Sequence, residues 1–298
     1  MLLAVLLATV SIVFPREGTS FASLQRLYAI GSTDGGETNL VISGRSVPVY
    51  RTGAWATSFE VRPGTNVLSV GDATRTFTVA APPAPSTNAA PARKYEKLPY
   101  AADVPKAPPT NRPPCEITIV IDAGHGGSDS GALSPHGRCE KDANLALAKE
   151  VRDSLVARGY RVVMTREDDS FPALYDRPKV AHAANADAFV SIHHNAPPYD
   201  RDPSVLRYHT VYCWNDIGER LARAVNMRMD EAFGMTLKNN GVQRANYAVT
   251  RNPEIPSCLV EVDFITSPAG EEAVWNPVRR RLTAAAIADG IADWSNPK

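Results

Sequence analysis

Ten of the chain's 24 prolines fall between residues 80 and 114, most of them beside alanine or another proline. Proline has no backbone N–H and a locked φ, so such a stretch cannot sit inside a helix or a central strand. It also shows almost no hydrophobic periodicity, and so cannot bury enough surface to offset the entropy of ordering it. Residues 80–114 are therefore expected to form an extended, semi-stiff linker rich in Pro and Ala. The 298-residue chain is thereby divided into a short part before the linker and a longer part, 115–298, after it. Each must build its own core.

The short part opens with MLLAVLLATVSIVF at positions 1–14, an almost wholly apolar run. It is too short to span a bilayer comfortably but suits the hydrophobic region of a signal peptide. Ser20 and Ala22 offer small residues around a cleavage site, although no Lys or Arg precedes the run. Residues 1–22 are expected to be an export signal, which places the protein in the periplasm or cell envelope. No other segment is apolar for long enough to be expected to span a membrane. Residues 23–79 read as short strands separated by turn signals at Ser43-Gly44-Arg45, Pro63-Gly64-Thr65-Asn66 and Gly71-Asp72. Strands this close predict a small antiparallel β-sandwich, an accessory domain with no cluster of chemistry-bearing side chains.

Charge and cysteine usage narrow the function classes. Lys+Arg and Asp+Glu both number 32, for a formal net charge of zero. Nucleic-acid binding is not expected as the main role, because no global cationic excess exists to meet phosphates. Cys115, Cys139, Cys213 and Cys258 form no C-x-x-C pair, so a thiolate zinc knuckle is not expected. Export would permit disulfides, and the pairing stays open.

Beyond the linker, strands and helices alternate. Residues 117–121, ITIVI, form a continuous β-branched run of the kind buried on both faces of a sheet. A helix is expected over 142–158, a strand over 161–165, a helix over 176–184 and a strand over 188–192. A long helix follows over 216–233, then a buried strand over 257–262. Asn276 and Pro277 read as N-cap and first residue of a final helix. This order predicts an α/β fold with a mostly parallel sheet flanked by helices. Sites in such folds lie at the carboxyl ends of the strands.

The polar residues collect at that edge. The first strand ends in Asp122-Ala123-Gly124-His125-Gly126-Gly127, the third in Ser191-Ile192-His193-His194-Asn195, and the late strand in Leu259-Val260-Glu261. Glu140 opens the first helix on the same side. Two imidazoles and a carboxylate around an open position form a zinc-hydrolase arrangement, and a further carboxylate nearby can take the proton of an attacking water. Adjacent His193 and His194 point to opposite faces, so only one can contribute from that strand. The glycines meet neither phosphate-loop pattern. Glu261 is costly in an apolar strand unless paired, metal-bound or catalytic. His182 reads as a helix-surface residue, and His136 and His209 as loop residues.

Together these motifs resemble a known family. IVIDAGHGGSDSGA at 119–132, Glu140-Lys141-Asp142, Thr165-Arg166, Leu174 with Arg177, SIHHNA at 191–196, Gly241-Val242 and Leu259-Val260-Glu261 are similar to the zinc-dependent N-acetylmuramoyl-L-alanine amidases of the amidase-3 type. The resemblance covers about 117–294. It implies one Zn²⁺ held by His125, Glu140 and His193, with Glu261 as the catalytic glutamate and Asn195 as a site-shaping or substrate-facing residue. It implies peptidoglycan as the substrate, cut at the amide between N-acetylmuramic acid and L-alanine of the stem peptide, and leaves a protein activator open. A zinc peptidase or deacetylase acting on another amide is the competing enzyme reading. A non-catalytic cell-wall-binding protein is the competing binding reading. One departure stands out. Family members follow the catalytic glutamate with Gly-Phe and a Ser-Asn pair, whereas here Val262-Asp263-Phe264-Ile265-Thr266-Ser267 follows Glu261 and keeps only the Phe. That implies a different local loop shape.

Overall fold

A computed structural model describes residues 9–82, 96–97 and 112–296 of the chain. Eight strands precede the linker: β1 (Val10–Phe14), β2 (Ser20–Phe21), β3 (Arg26–Thr33), β4 (Asn39–Ile42), β5 (Arg45–Pro48), β6 (Ala54–Glu60), β7 (Gly64–Val70) and β8 (Ala73–Val79). They form a three-stranded sheet, β1-β3-β6, and a five-stranded sheet, β2-β8-β7-β4-β5. Ile12, Leu27 and Trp55 from the first sheet share one core with Ile42, Leu68 and Phe77 from the second. That shared core makes the unit a two-layer sandwich.

The N-terminal apolar run has a structural place. Val10 is in register with Thr33 and Ile12 with Gly31, and Ile12 is buried in the sandwich core. The expected export signal over 1–22 thus overlaps β1 and β2, while residues 1–8 lie outside the described residues. An apolar run of this length fits a leader and a core strand equally well, and its described part pairs with β3. The expected linker also has an ordered point: Glu96–Lys97 form β9, antiparallel to the later strand that holds Gln243 and Arg244. The remainder, 83–95 and 98–111, lies outside the described residues.

The part after the linker runs β10 (Thr118–Ala123), α1 (Glu140–Ala157), β11 (Arg161–Met164), α2 (Arg177–Ala183), β12 (Ala188–Asn195), β13 (Tyr208–Cys213), α3 (Asp216–Phe233), β14 (Lys238–Arg244), β15 (Ser257–Phe264), α4 (Pro268–Trp275) and α5 (Pro277–Ser295). The sheet order is β11-β10-β12-β15-β13-β14-β9. Four neighbouring pairs are parallel, but β13 runs antiparallel to β15 and β9 antiparallel to β14. The sheet is therefore mixed, with its parallel block at the site. The residues of α1, α3 and α5 pack one face around Ile119, Ile121, Val190 and Val260. Val120, Phe189 and Leu259 face the other side, against Ala181 of α2 and Val249 and Ile255 of a loop. Alternation along each strand thus serves two cores, which is why the strands read as unbroken apolar runs. Helices α3 and α5 approach closely at Gly290, where a Cβ would lie 2.5 Å from the Val225 Cα. Among the described residues no helix is long and apolar enough to cross a membrane.

His209 departs from its expected loop position. It sits within β13, fully buried, and neither ring nitrogen has a hydrogen-bond partner among the described residues. The Phe233 ring packs edge-on at 5.3 Å, and Asp230 Oδ1 lies 3.9 Å from Nε2. Burial lowers its pKa to about 4, against the pull of Asp230. The native state therefore keeps this ring neutral while the unfolded chain binds a proton below an ordinary histidine pKa of about 6.5. The stability it contributes is complete above that value and is lost as pH falls from about 6.5 towards 4. Urea unfolding should show His209→Leu losing about 2 kcal/mol less than the parent chain between pH 7 and 5. Parallel losses in the two proteins would contradict this.

Candidate metal centre

The parallel block brings the carboxyl ends of β10, β12 and β15 to one edge. His125 follows β10 in the left-handed region, at φ 60°. A non-glycine residue is held there only when its surroundings impose it. Arg177 Nη2 donates to the His125 carbonyl at 2.8 Å. Arg166 donates from Nε to the Ala123 carbonyl and from Nη2 to the Gly124 carbonyl, both at 2.9 Å. Two buried guanidinium groups thus hold three consecutive carbonyls of the loop. Gly124 is required by close approach, because a Cβ there would lie 2.2 Å from His193 Nε2.

The donor atoms of His125, Glu140 and His193 lie within 4.8 Å of one another. Glu140 Oε1 is 3.2 Å from His125 Nε2 and 3.1 Å from His193 Nδ1. Glu140 is the first residue of α1 and is buried, while both imidazoles are partly open to solvent. Its position is fixed from several sides. Asn144 Nδ2, one helical turn on, donates to Oε1 at 3.1 Å, and the backbone N–H of Ala132 donates to Oε2 at 2.9 Å. The N–H of His194 donates to Oε1 at 3.2 Å. Asp129 Oδ2 lies 2.8 Å from His125 Nδ1, so the carboxylate accepts from that nitrogen and leaves Nε2 facing Glu140.

The electrostatics fit a cation. Burial pulls the His125 pKa down, but hydrogen bonds and charge from Glu140 and Asp129 outweigh it and raise it to about 9. Burial pushes Glu140 up, yet the two histidines hold its carboxyl well below the usual range. Two imidazoles clustered around a buried carboxylate attract positive charge, and a metal ion competes with protons for such a set. Two imidazole nitrogens and one carboxylate oxygen match the donor types of a three-ligand site with an open position.

Glu261 stands on β15 in register with His193 on the neighbouring strand. It is partly exposed as a residue, but its Oε2 is enclosed and finds no hydrogen-bond partner among the described residues. Burial and then the Glu140 charge push its pKa well above the carboxylate range. Asn195 ends β12, where its carbonyl accepts the Ile265 N–H at 3.0 Å. The altered stretch after Glu261 is well packed: Asp263 pairs with Arg207, and the buried Phe264 meets the Tyr208 ring edge-on at 4.6 Å.

The second histidine of the pair turns away, as alternation requires. His194 is buried, with Nδ1 2.7 Å from Asn144 Oδ1, and burial lowers its pKa to about 4. The supporting residues Asp129 and Asn144 were not singled out in the sequence. Both stand four residues after a site residue, and for Asn144 that is one turn of α1. His136, expected to be an unpartnered loop residue, reaches Glu271 Oε2 at 2.8 Å and the Thr52 carbonyl at 3.1 Å.

Compared with known proteins, residues 119–293 match the family model described as N-acetylmuramoyl-L-alanine amidase. The probable cell wall amidase LytH of Staphylococcus epidermidis is 37% identical over 179 residues, which cover 59% of this chain and 58% of that protein. The match therefore spans little more than half the length of that curated relative. Among solved structures, the N-acetylmuramoyl-L-alanine amidase AmiC2 of Nostoc punctiforme is 36% identical, with a TM-score of 0.57 over 60% of this chain and 97% of that one. The catalytic domain of the amidase CwlV from Bacillus (Paenibacillus) polymyxa is 33% identical, with a TM-score of 0.56 over 60% and 97%.

Proposed function

This chain belongs to the N-acetylmuramoyl-L-alanine amidase family, and on that premise we propose that it is a peptidoglycan hydrolase of the cell envelope, exported with residues 10–21 retained as β1 and β2. The bond cut is the amide between the lactyl group of N-acetylmuramic acid and L-alanine of the stem peptide. The observation that carries this reading is the convergence of His125, Glu140 and His193 within 4.8 Å beside an enclosed carboxylate oxygen of Glu261 that lacks a partner. We assign Zn²⁺ to the three donors, through His125 Nε2, a Glu140 carboxylate oxygen and His193 Nδ1. A Zn²⁺ ion held there would supply Lewis-acid charge to a carbonyl oxygen and make a neighbouring water more acidic.

The chain's own residues do the rest. Asp129 fixes the ring orientation of His125, and Asn144 with two backbone N–H groups fixes the carboxylate of Glu140. Second-layer contacts of this kind keep ligands pre-aligned. Glu261 is the general base: its enclosure makes it a stronger base than an exposed carboxylate, and it takes the proton of the attacking water and returns it to the leaving amine. Asn195 faces the substrate at the end of β12. Digestion of purified peptidoglycan tests the reaction class. New L-alanine amino termini without new reducing sugar ends are expected. New amino groups on other residues or on amino sugars would move the assignment to a peptidase or deacetylase. Turnover without any added envelope protein would show that no activator is needed.

A further inference from the structure

We propose that the β-sandwich, together with the loop after β12, forms one wall of the reaction site, where Phe14 and Tyr199, backed by the buried Tyr28 and with Arg16 and Thr19 at the rim, bind the saccharide chain that carries the scissile amide. The proposal rests on the amidase reading for the identity of the molecule being cut. A cavity of about 700 Å³ joins the two parts of the chain. His125, Glu140 and the loop at 129–133 line one side, and Phe14, Arg16, Thr19, Tyr28 and Ile30 line the other. Its size falls within the usual range of roughly 300–1,000 Å³ for ligand sites. Because His125 and Glu140 line the same cavity, a limb of a substrate bound at the metal centre can enter it.

The wall is anchored rather than tethered. The Tyr28 N–H donates to the Tyr199 carbonyl at 2.8 Å. The Phe14 and Tyr199 rings stack at 5.5 Å with 14° between their planes. At the far end of the seam, His136 bonds the Thr52 carbonyl and Arg51 pairs with Glu272. Tyr199 lies on the loop that follows β12, the strand that carries His193, and its ring is held by Phe14, Phe21 and Tyr28. Half of Tyr199 remains exposed, at 51%.

The chemistry favours the sugar limb over the peptide limb. A pyranose offers an apolar C–H face and a hydroxyl edge, which match aromatic faces bordered by polar tips. A stem peptide carries carboxylates and amides. Among the described residues lining the cavity, Arg16 is the one Lys or Arg, against Asp129 and Glu140. The backbone of β3 pairs with β1 and β6 and, at Tyr28, with the Tyr199 carbonyl, so it offers no free ladder to an extended peptide.

The test compares two substrates carrying one peptide, the first on a single N-acetylmuramic acid and the second on a glycan chain of several disaccharides. Tyr199→Ala and Arg16→Ala should each lower kcat/KM on the chain substrate more than on the single-sugar one, about tenfold more for Tyr199→Ala, mainly through KM. The ratio cancels any loss of folded protein, so a purely structural effect leaves it unmoved. Equal losses on both substrates, or a loss that follows peptide length instead, would overturn the subsite. A second readout needs no turnover: zinc-loaded Glu261→Gln protein should bind peptide-free glycan strands, and adding Tyr199→Ala should weaken that binding. If the parent chain cuts neither substrate while this binding persists, the amidase reading falls and the saccharide subsite stands. If it cuts both with no dependence on glycan length or on Tyr199, the subsite falls and the amidase reading stands.

Discussion

Glu261→Gln is expected to lower turnover by about 10³-fold while the protein keeps one equivalent of zinc. The amide has the shape of the carboxylate but cannot accept a proton at the working pH, and general acid–base catalysis contributes roughly 10²–10⁴-fold. The metal is expected to stay because Glu261 lies outside the His125, Glu140 and His193 cluster. It touches the site through its register with His193, and its enclosed Oε2 makes no hydrogen bond among the described residues that the substitution would break. Two measurements on one preparation decide the matter, kcat on solubilised wall fragments and metal content. Activity within about tenfold of the parent would remove Glu261 from the proton-transfer role. Zinc lost in proportion to activity would make it a ligand instead.

The second large effect lies beneath the site. Asp122 is fully buried and accepts from Arg177 Nη1 at 2.8 Å, Thr165 Oγ1 at 2.6 Å and Ser191 Oγ at 2.7 Å. Arg177 is buried as well, and it holds the Ala123 and His125 carbonyls. Replacing Asp122 by Ala leaves a buried guanidinium without its counter-charge, a situation that costs about 3–5 kcal/mol. For a domain of this size that corresponds to a fall in Tm of roughly 10 °C. Because Arg177 holds the carbonyl of His125, zinc affinity should fall as well. Calorimetry and metal titration of Asp122→Ala check both. Adding Arg177→Met removes the orphaned charge, so the double variant should regain stability without regaining metal affinity. Recovery of both would mean that Arg177 does not position His125.

Much of this was legible in the sequence where local chemistry decides the outcome. The 117–121 run became β10 because it is covered on both faces. Asn276 caps α5 by accepting from the Val278 and Arg279 N–H groups, as its place before Pro277 implied. His125, His193 and Glu261 stood out as polar residues at or just after the ends of apolar strands and Glu140 as the opening of α1 on the same side, and the fold brings them to one place. What escaped depends on partners distant in sequence. Strand β14 carries Asn239-Asn240-Gly241, residue types that favour turns, and it is held as a strand by β13 across an irregular register and by β9 on its other side. His209 looked polar but fills a space beside Phe233. Arg166 and Arg177 bond carbonyls more than 40 residues away, and no spacing encodes that. The apolar run at the start carries two meanings, and the pairing of its described part with β3 is not encoded in the run itself.

The central claim is that this cluster holds a zinc ion that drives cleavage of the muramoyl–alanine amide. Mass spectrometry of wall digests made in heavy-oxygen water, with and without chelator, tests it most directly. The account predicts stem peptides beginning with unlabelled L-alanine and one heavy oxygen on the lactyl carboxylate. Both products should vanish on chelation and return with added Zn²⁺. Release that survives complete removal of zinc, or heavy oxygen placed on a peptide carboxylate, would contradict it.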